Sequence, residues 1–247
     1  MKRARCLVFG GSGALGRVVC ETLAAQNARV VFTYHAGEAI ARKLAANLPG
    51  SAALRVDLAS VKDVESRIDE AAGILDGIDA FIQCAGVAIT MPHPEDKVHH
   101  RMPDVDEAGW DLMMNVNVKG TFFGVRRIAE IMRGGAGGNI VLTGSVDGVK
   151  PLPAPVHYGA AKSALGGMAK SMAKELGEYN IRVNVIAPGI MEEGISKFLP
   201  SDLLDEYIKH CGLKRVGKVS EVANVITWFA LHNTYVTGQS ILVDGAL

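Results

Sequence analysis

Short apolar runs rich in β-branched and aromatic residues recur at Cys6–Phe9, Arg29–Tyr34, Ala52–Val56, Ala80–Cys84, Asn139–Leu142, Arg182–Ile186 and Ser240–Val243. Longer stretches lie between them, with apolar residues returning every three or four positions. The runs predict strands and the stretches predict helices. Their alternation predicts β-α-β units, hence an α/β fold with a mostly parallel sheet covered on both faces. Crossovers of this kind are right-handed. The best marked helix lies near residues 60–76, where Ser60-Val61-Lys62-Asp63 reads as a capping box and Val64, Ile68, Ala71 and Leu75 follow at helical spacing. A second helix is expected over Arg17–Ala25.

Two segments break the alternation. Met91–Asp104 carries Pro92, Pro94 and Pro103 around His93, His99 and His100. Those histidines lack the spacing of a ligand set, so the segment reads as a surface loop and no metal is expected. Gly134-Gly135-Ala136-Gly137-Gly138 predicts a flexible turn before a strand. No repeat, low-complexity tract or linker divides the chain, and residues 1–247 are read as one domain.

Composition removes several classes of function. A 247-residue chain that is 49% hydrophobic can bury a sizeable core. Its 26 basic and 26 acidic residues cancel, leaving no long-range field to gather nucleic acid or anionic lipid. Cys6, Cys20, Cys84 and Cys211 are scattered, which argues against a zinc site or disulfide framework and for a reducing, cytoplasmic location. The basic start followed by Cys6–Phe9 imitates a signal peptide, but the apolar run ends at Gly10, short of the roughly 7–15 residues an h-region needs. Val222–Val243 lacks Asp, Glu, Lys and Arg, yet its second half, with His232-Asn233-Thr234-Tyr235 and Thr237-Gly238-Gln239-Ser240, is too polar to cross lipid.

Three local patterns carry chemistry. After the first strand, Gly11-x-Gly13-x-x-Gly16 opens a helix, a spacing that lets backbone N–H groups approach a pyrophosphate, although such turns also serve as plain strand-to-helix connections. The second strand ends in Thr33-Tyr34-His35-Ala36, and no acid appears before Glu38. A carboxylate there would bind a ribose 2′-OH. Its lack leaves room for a 2′-phosphate, with His35 able to help hold it, so NADP(H) is favoured over NAD(H); the same segment also reads as a neutral strand end. Tyr158-Gly159-Ala160-Ala161-Lys162 sets a phenol and an ammonium on one helix face, where the cation favours tyrosinate, though such pairs also occur for structural reasons. Ser145 lies thirteen residues earlier, just past the strand Ile140-Val141-Leu142, where open parallel sheets bind ligands.

Together these residues make the chain resemble the short-chain dehydrogenase/reductase family from Cys6 to Gly245, nearest in look to its 3-oxoacyl-acyl-carrier-protein reductases. The family's Thr-Gly-x-x-x-Gly-x-Gly loop falls on Phe9–Gly16, with Phe9 in place of threonine and Ala14 in place of the middle glycine. Its Asn-Asn-Ala-Gly segment reads Gln83-Cys84-Ala85-Gly86, two substitutions expected to alter hydrogen bonding at the sheet centre. Glu193 stands where a threonine usually follows Pro188-Gly189.

The resemblance implies a single-domain, Rossmann-type doubly wound parallel sheet. It implies cofactor contacts at Gly10, Ser12, Gly13, Leu15, Gly16, Tyr34, His35, Asp57, Leu58, Cys84, Ala85, Gly86, Tyr158, Lys162, Pro188, Gly189 and Ile190. Ser145, Tyr158, Lys162 and Asn117 are the implied catalytic residues. Tyr158 exchanges a proton with the substrate oxygen, Ser145 hydrogen-bonds that oxygen, Lys162 holds the nicotinamide ribose and depresses the Tyr158 pKa, and Asn117 positions a relay water. Asn117 also reads as satisfying a helix irregularity. Cys84 reads as packing rather than as a nucleophile, and Met113 and Met114 as helix core. The partner is a small carbonyl or alcohol, an acyl thioester among the options, and the ending Thr237–Gly245 implies a homotetramer. In Glu192, Glu193, Lys197 and Phe198 nothing matches an acyl chain, and the acidic pair also suits a polar or cationic alcohol. A catalytically silent NADP-binding sensor, a polar-alcohol dehydrogenase using NAD, and an isomerase, epimerase or dehydratase stay open beside the reductase.

Overall fold

The apolar runs become seven strands: β1 (Arg5–Phe9), β2 (Arg29–Tyr34), β3 (Ala52–Arg55), β4 (Ala80–Gln83), β5 (Gly138–Thr143), β6 (Ile181–Pro188) and β7 (Ser240–Val243). In this computed structural model, which describes residues 3–87, 102–151, 154–194, 199 and 201–247, they form one sheet in the order β3-β2-β1-β4-β5-β6-β7. Every neighbouring pair is parallel. The chain runs outward from β1 to β3, then returns to the centre at β4. The strand order therefore reverses between β1 and β4, and the crevice where ligands bind in such sheets opens at their carboxyl ends.

Helices follow the strands: α1 (Ala14–Ala25), α2 (Glu38–Asn47), α3 (Val61–Leu75), α4 (Glu107–Met114), α5 (Thr121–Arg133), α6 (Val156–Leu176), α7 (Ser201–His210) and α8 (Val219–Leu231). Alternate residues of β1 serve opposite cores. Leu7 and Phe9 pack with Val64 and Ile68 of α3, Val125 and Ile128 of α5 and Leu165 of α6. Cys6 and Val8 pack with Val19 and Leu23 of α1, Leu44 of α2 and Ile226 of α8. Burial on both faces is why the strands read as continuous apolar runs. Phe9, standing where the family has threonine, is fully buried and meets Phe81 edge-on at 5.0 Å.

Two buried asparagines fix the far half of the sheet. Asn184 donates to the Val236 carbonyl at 2.8 Å and accepts from Gln239 N at 3.1 Å, which sets β7 against β6. Asn139 donates to the Ala230 carbonyl at 3.0 Å and so ties β5 to the end of α8.

Several expectations need correction. The capping box is only half made: Ser60 accepts from Asp63 N at 3.3 Å, but the Asp63 carboxylate accepts from Asp57 N at 2.7 Å rather than from Ser60. Asp63 is thereby spent on the turn after β3. The glycine run is not simply flexible. Gly137 has φ +81°, and a Cβ there would lie 2.3 Å from the Asn180 carbonyl oxygen. Strand β6 extends two residues past the expected Ile186, β3 and β4 each stop one residue early, and α1 begins at Ala14 rather than Arg17. The Met91–Asp104 loop lies outside the described residues up to residue 101, as do Lys197 and Phe198; Met102–Asp104 forms a short 3-10 turn.

Candidate active site

The loop after β1 is shaped by what cannot fit in it. Gly10 has φ +79°, and a Cβ there would approach the Ala85 backbone to 2.7 Å; at Gly16 a Cβ would lie 2.1 Å from the Gly10 carbonyl oxygen. The loop is held to β2 by Thr33, whose hydroxyl accepts from Gly10 N at 3.2 Å and whose carbonyl accepts from Gly11 N at 2.8 Å. Gly13 is the N-cap of α1 and supplies no side-chain cap. The first-turn N–H groups of α1 therefore face outward at the positive end of the helix, a cradle for a pyrophosphate. Ser12, Gly13, Leu15 and Gly16 all belong to this turn.

At the carboxyl end of β2, Tyr34 closes the strand and His35 is exposed, with Nδ1 3.1 Å from the Val56 carbonyl oxygen. Asp57 accepts from Ala59 N at 2.9 Å, so part of its carboxylate shapes its own turn. Leu58 is buried, and its carbonyl abuts Gly120. At the sheet centre, Gln83 donates to Thr121 Oγ1 at 3.0 Å and accepts from Ala85 N at 3.2 Å, closing the turn that carries Ala85 and Gly86. Cys84 accepts from Thr143 Oγ1 at 3.6 Å, and burial pushes its thiol up to about 11. It is a packed thiol at neutral pH, not a nucleophile.

Helix α4 runs into α5 through a π-helical stretch, Asn115–Gly120. The irregularity turns Asn117 inward, where it is 2% exposed. Its side-chain amide takes both backbone groups of Val87, accepting from N at 2.9 Å and donating to O at 3.0 Å. Nδ2 also meets the Met113 sulfur at 2.8 Å. Met113 and Ala161 pack on Tyr158, with Met114 partly buried against the same group, so the methionines expected as helix core also wall the tyrosine.

Ser145 follows β5 and caps the 3-10 turn Val146–Gly148, accepting from Asp147 N at 3.3 Å and donating to Asp147 Oδ2 at 2.7 Å. Tyr158 and Lys162, one turn apart on α6, face the same space, and Lys162 Nζ stands 5.6 Å from the Tyr158 ring centre. Burial pushes the Tyr158 phenol up to about 12; a hydrogen bond with Ser145 opposes the rise and the Asp147 charge adds to it. Burial brings Lys162 down to about 8, with Cys84 and Asp147 opposing the fall, and its ammonium donates to the Thr143 carbonyl at 3.0 Å.

Pro188 at the end of β6, with Gly189 and Ile190 after it, flanks the same end of the sheet. Tyr207 of α7 holds them: its hydroxyl accepts from Ile190 N at 3.1 Å and donates to the Asp244 carbonyl at 3.3 Å. Glu193 lies 3.7 Å from the Arg17 guanidinium on α1, so it bridges to the phosphate loop.

Ser145, Tyr158, Lys162 and Asn117 thus gather at the carboxyl end of β4 and β5, with the glycine cradle on one side and Pro188–Ile190 on the other. Thr33, Thr143, Asp147 and Tyr207 escaped the sequence reading. Asp147 had a local signal, standing two residues after a serine at a turn. The others act through backbone groups or long-range contacts that no spacing reveals. Among the described residues, no three His, Cys, Asp or Glu side chains are grouped to hold a metal, and no helix is long and apolar enough to cross a membrane.

Known proteins share the sequence and the backbone of this chain. The family described as Enoyl-(Acyl carrier protein) reductase matches residues 11–247. The 3-oxoacyl-(acyl-carrier-protein) reductase FabG of Thermotoga maritima is 33% identical over 98% of this chain and 96% of its own. Two solved structures share the backbone. The 3-oxoacyl-(acyl-carrier protein) reductase of Brucella melitensis has a TM-score of 0.89 at 27% identity, covering 99% of this chain and 91% of its own. A short chain dehydrogenase from Burkholderia cenocepacia in complex with NADP has a TM-score of 0.87 at 26% identity, covering 98% and 97%. Agreement in sequence and backbone over almost the whole length leaves one descent: the chain belongs to the short-chain dehydrogenase/reductase family and is an oxidoreductase.

Proposed function

We propose that residues 1–247 act as one NADP(H)-dependent carbonyl reductase domain, with 3-oxoacyl thioesters as the substrate class. The observation that carries this reading is the convergence of Ser145, Tyr158 and Lys162 beside the glycine cradle. What supports a dinucleotide there is the first turn of α1, left without a side-chain cap at Gly13, on a loop that Gly10 and Gly16 let fold tightly against the Ala85 backbone and the Gly10 carbonyl. Ser12, Gly13, Leu15 and Gly16 would hold the pyrophosphate, Tyr34, His35, Asp57 and Leu58 the adenosine half, and Cys84, Ala85, Gly86, Pro188, Gly189 and Ile190 the nicotinamide half, with Tyr158 and Lys162 at its ribose. When bound, the reduced nicotinamide supplies the hydride that becomes the new C–H bond of the alcohol.

The chain's own residues handle the proton. Tyr158 gives its phenolic proton to the carbonyl oxygen as the C=O π bond opens, and the high proton affinity of the buried phenol keeps that proton available across neutral pH. Lys162 titrates near 8, so it can return a proton toward the tyrosinate without remaining permanently charged or neutral. Asn117 fixes the Val87 backbone beside this route and would place a relay water.

The NADP preference is supported by the acid-free end of β2 at Tyr34-His35 and by the NADP complex of the Burkholderia relative. The thioester class is supported by the Thermotoga and Brucella reductases. The four free cysteines fit a cytoplasmic setting. Trp228 at 47% and Tyr235 at 95% exposure fit a face covered by further copies in a homotetramer.

Fluorescence titration with NADPH and NADH, followed by nicotinamide absorbance during turnover of a 3-oxoacyl thioester, tests the reading in wild type and Tyr158→Phe. Tighter NADPH binding is expected, with turnover cut about 10²–10⁴-fold in the variant. Binding without turnover on any ketone would make the protein a sensor, and failure to bind either nucleotide would overturn the cofactor assignment.

A further inference from the structure

Resting on the cofactor reading above, we propose that Tyr207 is a positioning residue for the nicotinamide half of the nucleotide: its hydroxyl ties the backbone of Gly189 and Ile190 to the last residues of the chain, and Lys150 fastens those residues to the turn that Ser145 caps.

Helix α7 is charged and mostly exposed, and of its ten residues only Tyr207 is buried. A buried tyrosine needs a partner for its polar end. The hydroxyl has two, both backbone: it accepts from Ile190 N at 3.1 Å and donates to the Asp244 carbonyl at 3.3 Å. Burial raises the phenol, so at neutral pH it keeps the proton that the second bond requires.

The ladder between β6 and β7 ends at Pro188 and Val243, and Gly189 N adds one more bond to the Val243 carbonyl at 3.0 Å. Past that point the Tyr207 hydroxyl takes over the work of the neighbouring strand. Gly189 makes its approach possible, since a Cβ there would lie 2.1 Å from the hydroxyl oxygen and 3.1 Å from Asp244 Cα.

The anchor is itself held. The Asp244 side chain is 8% exposed, and its carboxylate accepts from Lys150 Nζ at 2.6 Å and from Ala246 N at 3.1 Å. Lys150 Nζ also donates to the Leu247 carbonyl, while its backbone N donates to the Val146 carbonyl at 2.8 Å, within the turn that follows Ser145. From the other side, Gly212 N and Leu213 N donate to the Ala246 and Gly245 carbonyls, each at 3.0 Å. The residues after α7, the end of the chain and the serine turn thus form one clasp, and Ile190 N is joined to it through one hydroxyl. The adenosine half would sit at the ends of β1 and β2, which none of these bonds reaches.

The test compares NADPH with adenosine 2′,5′-bisphosphate, a fragment that lacks the nicotinamide half, by equilibrium titration; NADH and ADP replace them if the wild type prefers the unphosphorylated nucleotide. Tyr207→Phe keeps the ring and removes only the hydroxyl. Its Kd for NADPH should rise about three- to tenfold, the scale of one hydrogen bond, while its Kd for the fragment changes by less than about twofold. Lys150→Met should act in the same direction by a smaller factor, about two- to threefold, and Lys150→Arg should recover most of the wild-type binding.

Equal weakening of both ligands would make Tyr207 merely structural and overturn the inference, as would unchanged or tighter NADPH binding in Tyr207→Phe. If that variant does not fold, the two Lys150 variants carry the test through the same clasp. A wild type that binds neither nucleotide removes the cofactor reading and this inference with it; a wild type that binds, with variants that bind equally well, removes the inference alone.

Discussion

Asn117 grips Val87 at both ends of its backbone, accepting from its amide at 2.9 Å and donating to its carbonyl at 3.0 Å. A single side chain thereby replaces the strand partner that the residues after β4 have lost. Gly86 lies so close that a Cβ on it would sit 2.6 Å from Asn117 Oδ1 and 3.8 Å from Lys162 Nζ. The clamp therefore joins the turn that carries Ala85 and Gly86 to the lysine of the candidate site.

Asn117→Ala leaves two half-buried backbone groups of Val87 without these partners, at a cost of up to about 1–3 kcal/mol each where water cannot replace them. The expected outcome is a lower melting temperature together with at least tenfold slower turnover. Asn117→Asp, which can accept from Val87 N but cannot donate to its carbonyl while ionised, should recover only part of the stability. Thermal melts of the two variants beside wild type check this; equal stability of all three would remove the clamp.

Lys162 links function to a stability cost. Burial brings its folded-state pKa to about 8 from an ordinary value of 10.5. Between those values the unfolded chain binds more protons than the folded one, so this group makes stability rise as pH climbs through that window; below about pH 8 the full penalty is present. Lys162→Met removes the penalty. Since the side chain is only half-buried and water screens it, a gain of about 1–2 kcal/mol is expected at pH 7, seen as a melting temperature higher by several degrees. The gain should fade toward pH 10.5. A variant that is inactive yet less stable than wild type at pH 7 contradicts the cost.

The end of β2 offers a direct test of the proposed cofactor preference. His35 is exposed at the end of β2, and its Nδ1 is anchored 3.1 Å from the Val56 carbonyl oxygen, so the ring is oriented without being buried. His35→Asp puts a carboxylate where it can bind a ribose 2′-OH and repel a 2′-phosphate. Affinity for NADPH should fall about tenfold or more while NADH binding holds or tightens, the charge contrast being worth at least about 1.4 kcal/mol in the partly screened site. His35→Ala should weaken NADPH alone. Titration of both variants with both nucleotides decides whether this edge selects the cofactor.

The sheet was legible because burial on both faces writes itself as uninterrupted apolar runs: β2 and β7 have the expected bounds, β1, β3 and β4 differ by one residue at one end, and β5 and β6 by one or two residues at both ends. Ser145, Tyr158 and Lys162 were legible because an end-of-strand position and helical spacing are local features. Asp147 was open to the same kind of reading and was passed over. Thr143 and Tyr207 could not be found in this way, since the first meets Lys162 through its backbone carbonyl and the second crosses from α7 to the last residues of the chain. Asp63 shows the opposite failure: a correct local signal, the capping box, was overridden because Asp57 N lay within 2.7 Å of the carboxylate.

Gly137 makes the sharpest test of the packing that sets β5. The glycine run reads as slack, yet Gly137 lies in the left-handed region at φ +81°, and an added Cβ would meet the carbonyl oxygens of Asn180 at 2.3 Å and Tyr179 at 2.5 Å. Both obstacles are backbone, at the entrance to β6, and Asn180 itself accepts from Gly138 N at 3.1 Å. Relief would require moving β6 away from β5 at the point where the two strands enter the sheet, opposite the end that carries Ser145. Gly137→Ala should therefore destabilise by well over about 1 kcal/mol, a loss larger than the roughly 0.4–1 kcal/mol that an alanine gains where its backbone conformation is tolerated. Gly135→Ala, where the nearest atom would be the Met132 carbonyl oxygen at 3.6 Å, should change stability by less than about 0.5 kcal/mol. Chemical denaturation of the pair separates a glycine demanded by close approach from one that is interchangeable; equal midpoints would mean that the turn can shift as a unit.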